Sequence, residues 1–159
     1  MKTFFLKREL QIPVPLNEAW SFFSNPHNLA RITPEEMDFK IVSKHTPEIV
    51  YKGLTIEYSV KPLFGIKTTW ASKISDIDAP YTFSDEQIKG PYSKWLHKHT
   101  FAAHPNGTLM TDEVEYALPF SFLEDFIHEN IVRKKLNQIF DFRAKAILNL
   151  FALSKSSAA

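Results

Sequence analysis

The stretch FSDEQIKGPYSKWLHKHTF, residues 83–101, contains two alternating runs on either side of a Gly-Pro turn. Alternation of period two places every second side chain on the same face of a β-strand, so the stretch predicts an antiparallel hairpin. The face that carries its aromatic residues also carries polar ones. This face consists of Phe83, Asp85, Gln87, Trp95, His97, His99 and Phe101. Burying such polar groups costs free energy unless each is hydrogen-bonded or faces a cavity.

Pairing across two hairpins brings the histidines close to carboxylates. A turn centred on Pro91 places Asp85 opposite His97. The four-residue loop HPNG that follows the second strand places His99 opposite Asp112. A carboxylate beside an imidazole raises the pKa of the histidine and orients its tautomer, so a general acid or base is available near neutral pH. The catalytic candidates are therefore His97, His99, Asp85 and Asp112.

Alternating segments on both sides of this hairpin predict an antiparallel sheet of about seven strands. The predicted extended segments are residues 4–12, 38–44, 50–61, 66–77, 80–88, 94–103 and 108–118. Two short helices follow the first segment, one around Trp20 and one around Leu29, because Asn25-Pro26 interrupts the helical pattern. The middle of the chain is therefore predicted to be one meander.

After Pro119 the apolar period changes from two to about 3.6, which predicts a long C-terminal helix. Its apolar stripe consists of Phe122, Phe126, Ile127, Ile131, Leu136, Ile139, Phe140, Ala146, Ile147, Leu150 and Phe151. A helix of this length can lie across the whole concave face of a curved sheet. Residues 1–153 are predicted to form a single α+β domain, followed by a frayed tail at 154–159.

Composition limits the classes of partner. The chain has 159 residues, of which 44% are hydrophobic and 14% aromatic, enough for one sizeable core. Its 19 Lys and Arg against 18 Asp and Glu leave a net charge of +1, so no broad field favours nucleic acid. Cysteine is absent, which excludes disulfides, thiolate metal sites and a cysteine nucleophile. The short apolar run near the N-terminus predicts neither a signal peptide nor a membrane span, and hence a cytoplasmic protein.

The order of strand, two short helices, six-stranded meander and long helix resembles the helix-grip fold of the START and Bet v 1-like (SRPBCC) superfamily. The resemblance covers about residues 3–152. A bacterial, polyketide cyclase-like branch of uncharacterised proteins is similar in narrower motifs. These are Ile32-Thr33-Pro34, Trp70, the run from Phe83 to His99, and Tyr116-Ala117-Leu118-Pro119-Phe120. The resemblance implies a deep pocket between sheet and helix that takes lipids, polyketides, hormones or other hydrophobic molecules.

Assigning faces by the aromatic positions gives an inward surface with a polar floor made by Asp85, Gln87, His97, His99 and Asp112. The predicted ligand-binding residues are Tyr58, Trp70, Phe83, Asp85, Gln87, Trp95, His97, His99, Phe101, Met110, Asp112, Tyr116, Ile139 and Arg143. Trp70 and Trp95 either stack against a ligand or belong to the plain core. Arg143 either reaches the cavity and pairs with a carboxylate or an acidic ligand, or extends from the helix edge to solvent.

The polar floor has three interpretations: a structural network that fixes strand register, a patch that orients a ligand, and an acid–base pair. His97, His99 and Asp112 also have the residue types of a metal site, but a strand His-x-His recurs by chance, and neither a metal nor another cofactor is predicted. With only four Gly, the chain lacks nucleotide-binding and nucleophile-elbow motifs.

The predicted function is binding of a hydrophobic small molecule that bears at least one polar group, by a monomer or homodimer. One alternative is a cyclase, dehydratase or hydrolase that uses His97 or His99 as a base, with Asp85 or Asp112 orienting it. Another is a protein-interaction module with an exposed aromatic rim.

Overall fold

The computed structural model describes residues 1–120 and 122–157, with side chains as far as Leu153. Seven strands form one antiparallel sheet in the order β1-β7-β6-β5-β4-β3-β2. The strands are β1 (Thr3–Ile12), β2 (Lys40–Ile41), β3 (Thr55–Val60), β4 (Thr68–Asp78), β5 (Thr82–Lys89), β6 (Lys94–His104) and β7 (Gly107–Ala117). The helices are α1 (Leu16–Phe23), two 3₁₀ helices (Pro26–Ile32 and Glu35–Met37), α2 (Glu124–Ile127), a π-helical turn (His128–Val132) and α3 (Arg133–Ser157).

This is the predicted α+β helix-grip arrangement, with one sheet, two short helices after β1 and a long C-terminal helix packed on the sheet. Leu136, Ile139 and Phe140 of α3 join a buried cluster with Trp70 and Tyr92. Further along the helix, two more apolar residues, Ile147 and Phe151, join a second cluster with residues of α1 and the central strands. None of the described helices is long and apolar enough to cross a membrane.

Both predicted hairpin registers are confirmed. Asp85 of β5 lies opposite His97 of β6, and His99 of β6 lies opposite Asp112 of β7. The second loop is shorter than predicted, because the ladder continues to a pair between His104 and Gly107 and leaves a two-residue turn. The register is unchanged, since shortening the loop by one residue on each side keeps its centre in place.

Two predicted extended segments are much shorter in the structure. The segment 38–44 contains only β2, Lys40–Ile41, and the segment 50–61 contains only β3, Thr55–Val60. Positive φ angles of 47° at Asp38 and 91° at Gly53 explain the late beginnings of β2 and β3, because such backbone cannot continue an extended strand.

The predicted C-terminal stripe is wrong at its beginning. Phe122 is 84% exposed and Phe126 is 65% exposed, whereas Leu136, Ile139 and Phe140 are buried. The π-helical turn between α2 and α3 is the physical reason, because its wider i→i+5 bonding changes the direction in which earlier side chains point. At the other end, α3 is helical as far as Ser157, inside the segment predicted to fray, and residues 158–159 lie outside the described part.

Candidate ligand site

A cavity of about 160 Å³ lies between the sheet and α3. Its wall is mainly aromatic and aliphatic, with a polar region where β4, β5 and β6 meet. The predicted site residues that line it are Tyr58, Trp70, Phe83, Asp85, Trp95, His97, His99, Met110, Ile139 and Arg143. The volume is close to that of a cavity of about 150 Å³ that holds benzene. A cavity of this volume therefore matches a single aromatic ring or a short aliphatic chain.

The remaining predicted site residues are not among those that line the cavity. The side-chain amide of Gln87 donates to the carbonyl of Tyr92 at 2.7 Å and accepts from its N–H at 3.2 Å, so it holds the β5–β6 turn. Phe101 is 1% exposed and packs against rings of α1. The hydroxyl of Tyr116 is 2.8 Å from Nε2 of His128. In this geometry Gln87, Phe101 and Tyr116 contact other parts of the protein and do not line the cavity.

Asp112 is buried at 7% exposure and lies behind the two imidazoles. Nε2 of His97 donates to Oδ1 of Asp112 over 2.7 Å, and Nε2 of His99 donates to Oδ2 of Asp85 over 3.1 Å. Each hydrogen bond therefore joins diagonal neighbours, although the backbone register places each histidine opposite the other carboxylate. Diagonal pairs on adjacent strands lie within reach of long side chains. The two predicted carboxylate–imidazole pairs are present with their partners exchanged.

His99 connects both carboxylates. Its Nδ1 lies 3.0 Å from Oδ1 of Asp112, while its Nε2 is bonded to Asp85. The contact between Nδ1 of His99 and Asp112 does not have the geometry of a hydrogen bond. The buried Nδ1 therefore lies beside a negative charge but has no hydrogen-bond partner among the described residues. The ring also stacks on Phe83, with centroids 4.2 Å apart. The arrangement favours a protonated His99 between two negative charges.

The polar region continues into β4 through Ser72, which the sequence prediction missed. The indole N–H of Trp70 donates to Oγ of Ser72 at 3.2 Å, and the hydroxyl of Tyr58 is 3.3 Å from the same atom. Ser72 in turn donates to Oδ1 of Asp85 at 3.4 Å. Its position two residues from both Trp70 and Ile74 is the signal that could have identified it, because alternate residues share a strand face.

Burial and charge give the two histidines different protonation states. Burial lowers the pKa of His99, but the close contacts with the carboxylates of Asp112 and Asp85 outweigh this effect and raise the pKa to about 8. Burial and the charge of His99 lower the pKa of His97 in spite of its hydrogen bond to Asp112. Burial raises the pKa of both carboxyls, and their histidine partners reverse this, so both pKa values are lowered. At neutral pH the group consists of two carboxylates, one imidazolium and one neutral imidazole.

A metal site would draw on a set different from the one that the sequence indicated. Asp85, His97 and His99 each offer a ligand atom, and these atoms lie within 4.8 Å of one another. Asp112 instead binds the histidines from behind. The hydrogen bond between His99 and Asp85 joins two of the three potential metal ligands, so a cation would have to displace that bond. Two of the three potential ligands are therefore already bonded to each other.

Other residues that line the cavity were not among the predicted site residues. They are Phe23, Pro26, Leu29, Ile32, Thr33, Met37, Phe39, Ile41, Val50, Pro62, Tyr92, Leu136 and Phe140. Many lie in the loops and 3₁₀ helices between α1 and β3, where no period of two or 3.6 marks a face. Burial raises the pKa of Tyr92, so its hydroxyl stays protonated.

Comparison with known families decides the identity of this fold. The family described as polyketide cyclase / dehydrase and lipid transport matches residues 12–142. The chain belongs to this family. The match confirms the predicted relationship to the SRPBCC superfamily, and it includes β2–β7 and three of the cavity residues of α3, Leu136, Ile139 and Phe140. No curated protein matches this member of the polyketide cyclase / dehydrase and lipid transport family.

Solved structures show the same fold at low sequence identity. Ginseng major latex-like protein 151 from Panax ginseng is 14% identical, with a TM-score of 0.69 and coverage of 94% of this chain and 97% of that chain. A protein of unknown function, SA2116 from Staphylococcus aureus, is 10% identical, with a TM-score of 0.70 and coverage of 98% and 97%. Ara h 8.0201 is 19% identical, with a TM-score of 0.58 and coverage of 93% and 99%. These likenesses establish the helix-grip fold of this family member.

Proposed function

We propose that this protein binds a hydrophobic small molecule in the cavity between the sheet and α3. The observation that carries the proposal is a mainly apolar cavity wall with one polar region, the usual composition of a small-molecule site. Burial of apolar ligand surface contributes about 25 cal/mol per Å² to binding. The polar groups of Asp85, His97 and His99 would then select the orientation of the ligand. The membership of the polyketide cyclase / dehydrase and lipid transport family agrees with this proposal.

Native mass spectrometry of freshly purified protein, followed by denaturing extraction, tests the binding function. We expect a population heavier than the bare 18.4 kDa chain, which releases an apolar compound on denaturation. A variant with a filled cavity, Val60→Phe, serves as the control, because Val60 is buried and lines the cavity. This variant should carry less of the compound. A wild-type protein that is empty, and that also fails to take up single-ring compounds in titrations, would contradict the proposal.

A second candidate function is acid–base catalysis by His97. The observation that favours it is the hydrogen bond from Nε2 of His97 to Asp112, which leaves Nδ1 without a hydrogen bond to any described residue. The pKa of His97 is lowered, so the neutral ring offers a lone pair at neutral pH. A cyclase, dehydratase or hydrolase could use such a base, with Asp112 as the positioning residue.

Substitution of His97 distinguishes the binding function from the catalytic function. If His97 is a base, His97→Gln should abolish turnover of a bound substrate and leave its affinity within about twofold, since the base acts in the transition state. If the protein only binds, the same variant should change affinity or orientation, with no turnover in the wild type. The exposed His104 gives a matched control, His104→Gln, which should change neither property.

Other properties stay predictions from the sequence. We propose a cytoplasmic location, no nucleic-acid partner, and a monomer or homodimer. The interaction-module alternative also stays open, because Phe120, Phe122 and Phe126 form an exposed aromatic segment between β7 and the π-helical turn. Size-exclusion chromatography with light scattering would measure the oligomeric state, and a Phe122→Ser variant would test whether this segment contributes to association.

A further inference from the structure

Arg143 occupies a position of α3 where an apolar residue is expected. It follows Ile139 by four residues and Phe140 by three, and it precedes Ile147 by four. Residues at these spacings share one helix face, and all three neighbours are buried. Arg143 is half-buried, shares the helix face of these buried residues and lines the cavity.

The guanidinium of Arg143 has no counter-charge in the described part of the protein. Its carbon lies 5.1 Å from the ring centroid of Phe140, and no described carboxylate forms an ion pair with it. The Nε atom is sealed from solvent and has no hydrogen-bond partner. By contrast, Arg133 on the same helix pairs with Glu129 at 2.8 Å. Arg143 as a whole is half-buried, but its sealed Nε donor without an acceptor is costly, so an acceptor is missing at this place.

The cavity wall around Arg143 supplies the rest of a recognition site. The positive charge of Arg143 is near enough to act on the hydroxyl of Tyr58, which lines the same cavity. The other polar group of the wall, the cluster of Asp85 with His97 and His99, is bonded internally and does not use the guanidinium. An incoming anion would therefore meet a free cation with donors in a planar fork, the geometry that binds carboxylates.

We infer that the ligand of this cavity carries a carboxylate that pairs with Arg143, on an apolar body the size of one aromatic ring. This inference rests on the proposed binding function, which would also hold for a neutral ligand. The size of the apolar body follows from the cavity of about 160 Å³. The carboxylate follows from the unpaired Nε and from the position of Arg143 inside the apolar stripe.

Calorimetric titration with 3-phenylpropionate and with its neutral amide, 3-phenylpropanamide, tests the inference at pH 7. The two compounds share ring and chain and differ in charge. We expect the wild-type protein to bind the carboxylate about 10- to 100-fold more tightly, as hydrogen bonds to charged groups indicate. Arg143→Gln should abolish this preference while the affinity for the amide changes less than about twofold. Arg143→Lys should retain part of it.

Lys145→Gln is the matched control, because Lys145 is an exposed cation two residues away on the same helix. It removes the same net charge and should leave the preference intact. Equal binding of both compounds by the wild-type protein, or a preference that survives in Arg143→Gln, would overturn the inference and leave the binding function standing. Binding of neither compound would overturn the binding function for ring-sized ligands, and the inference with it.

Discussion

His99 is the residue on which the electrostatics of the polar region depend. It lies within 3.1 Å of Asp85 and 3.0 Å of Asp112, both of which are ionised at neutral pH. A positive charge there compensates two buried negative ones, which would otherwise repel each other across the hairpins. This charge compensation supports the interpretation of the polar floor as a structural network. Asp85 and His99 also line the cavity, where a ligand can contact them.

The stability of the protein should fall as pH rises through about 8. The pKa of His99 is raised from 6.5 to about 8, so protonation of His99 stabilises the folded state fully below pH 6.5, and this contribution is lost above pH 8. The shift corresponds to about 2 kcal/mol. Urea unfolding at pH 6 and pH 9 should show this loss in the wild-type protein.

The variant His99→Gln should remove most of that difference, since it deletes the titrating group. The exposed His104 serves as the control, and His104→Gln should keep the difference of the wild type. Because the pKa of His97 is lowered, His97 acts in the opposite direction and at lower pH, where its protonation destabilises the fold. An identical pH dependence in His99→Gln would contradict the assigned charge.

At the scale of elements, the β6–β7 turn depends on Gly107. Its φ of 137° is available almost only to glycine, and an added Cβ would lie 2.1 Å from the carbonyl oxygen of Ile12. Gly107→Ala should therefore lower the free energy of unfolding by more than about 3 kcal/mol, because backbone atoms would have to move. Thermal and urea unfolding measure this change.

Gly53 provides the comparison for that prediction. It also has a positive φ, 91°, but an added Cβ would meet nothing within 4 Å. Gly53→Ala should therefore cost about 1–2 kcal/mol from backbone strain alone. An equal loss in the free energy of unfolding in the two variants would show that the close approach of Gly107 to Ile12 adds no cost to a substitution at Gly107.

The C-terminal helical region has exposed phenylalanines before the π-helical turn and a buried apolar stripe after it. Phe140 is 5% exposed on α3, whereas Phe122, before the turn, is 84% exposed. Phe140→Ala should lower the free energy of unfolding by about 3–5 kcal/mol, and Phe122→Ala should change it by less than about 0.5 kcal/mol. Urea unfolding of both variants checks the contrast. A large loss for Phe122→Ala would mean that the apolar stripe extends through α2 after all.

At the scale of the whole molecule, a ligand in the cavity should stabilise the fold by mass action. The cavity wall combines residues of the 3₁₀ helices, β3–β7 and α3, so it exists only when these elements are assembled. A ligand that binds only the folded state at 100 times its dissociation constant adds about 2.7 kcal/mol to the free energy of unfolding. We expect this increase with 3-phenylpropionate in urea unfolding.

Propionate at the same concentration is the control for that experiment, because it has the same charge and lacks the ring. It should give a small increase or none. An equal effect of both anions would indicate a general salt effect instead of occupation of the cavity.

The sequence predicted the order of elements and both hairpin registers correctly, but it predicted the site only in part. Registers are local properties: the turns at Pro91 and Gly107 fix which residues face each other, so Asp85 and Asp112 could be placed beside the histidines. Gln87 has the same strand parity as Asp85, yet it bonds to Tyr92 across the turn. The alternation of residues along a strand predicts the face on which a side chain lies, but it does not predict the hydrogen-bond partner of that side chain.

The sequence by itself determined the fold, because alternation, turn residues and helical periodicity act over short distances along the chain. The tertiary structure alone decided three features of the site. Hydrogen bonds between diagonal neighbours on adjacent strands pair His97 with Asp112 and His99 with Asp85. The packing of α3 on the sheet sealed the Nε of Arg143 from solvent without a hydrogen-bond acceptor. The π-helical turn separated the buried stripe from the exposed phenylalanines. Each depends on side-chain contacts between different elements, which the pattern within a single element does not encode.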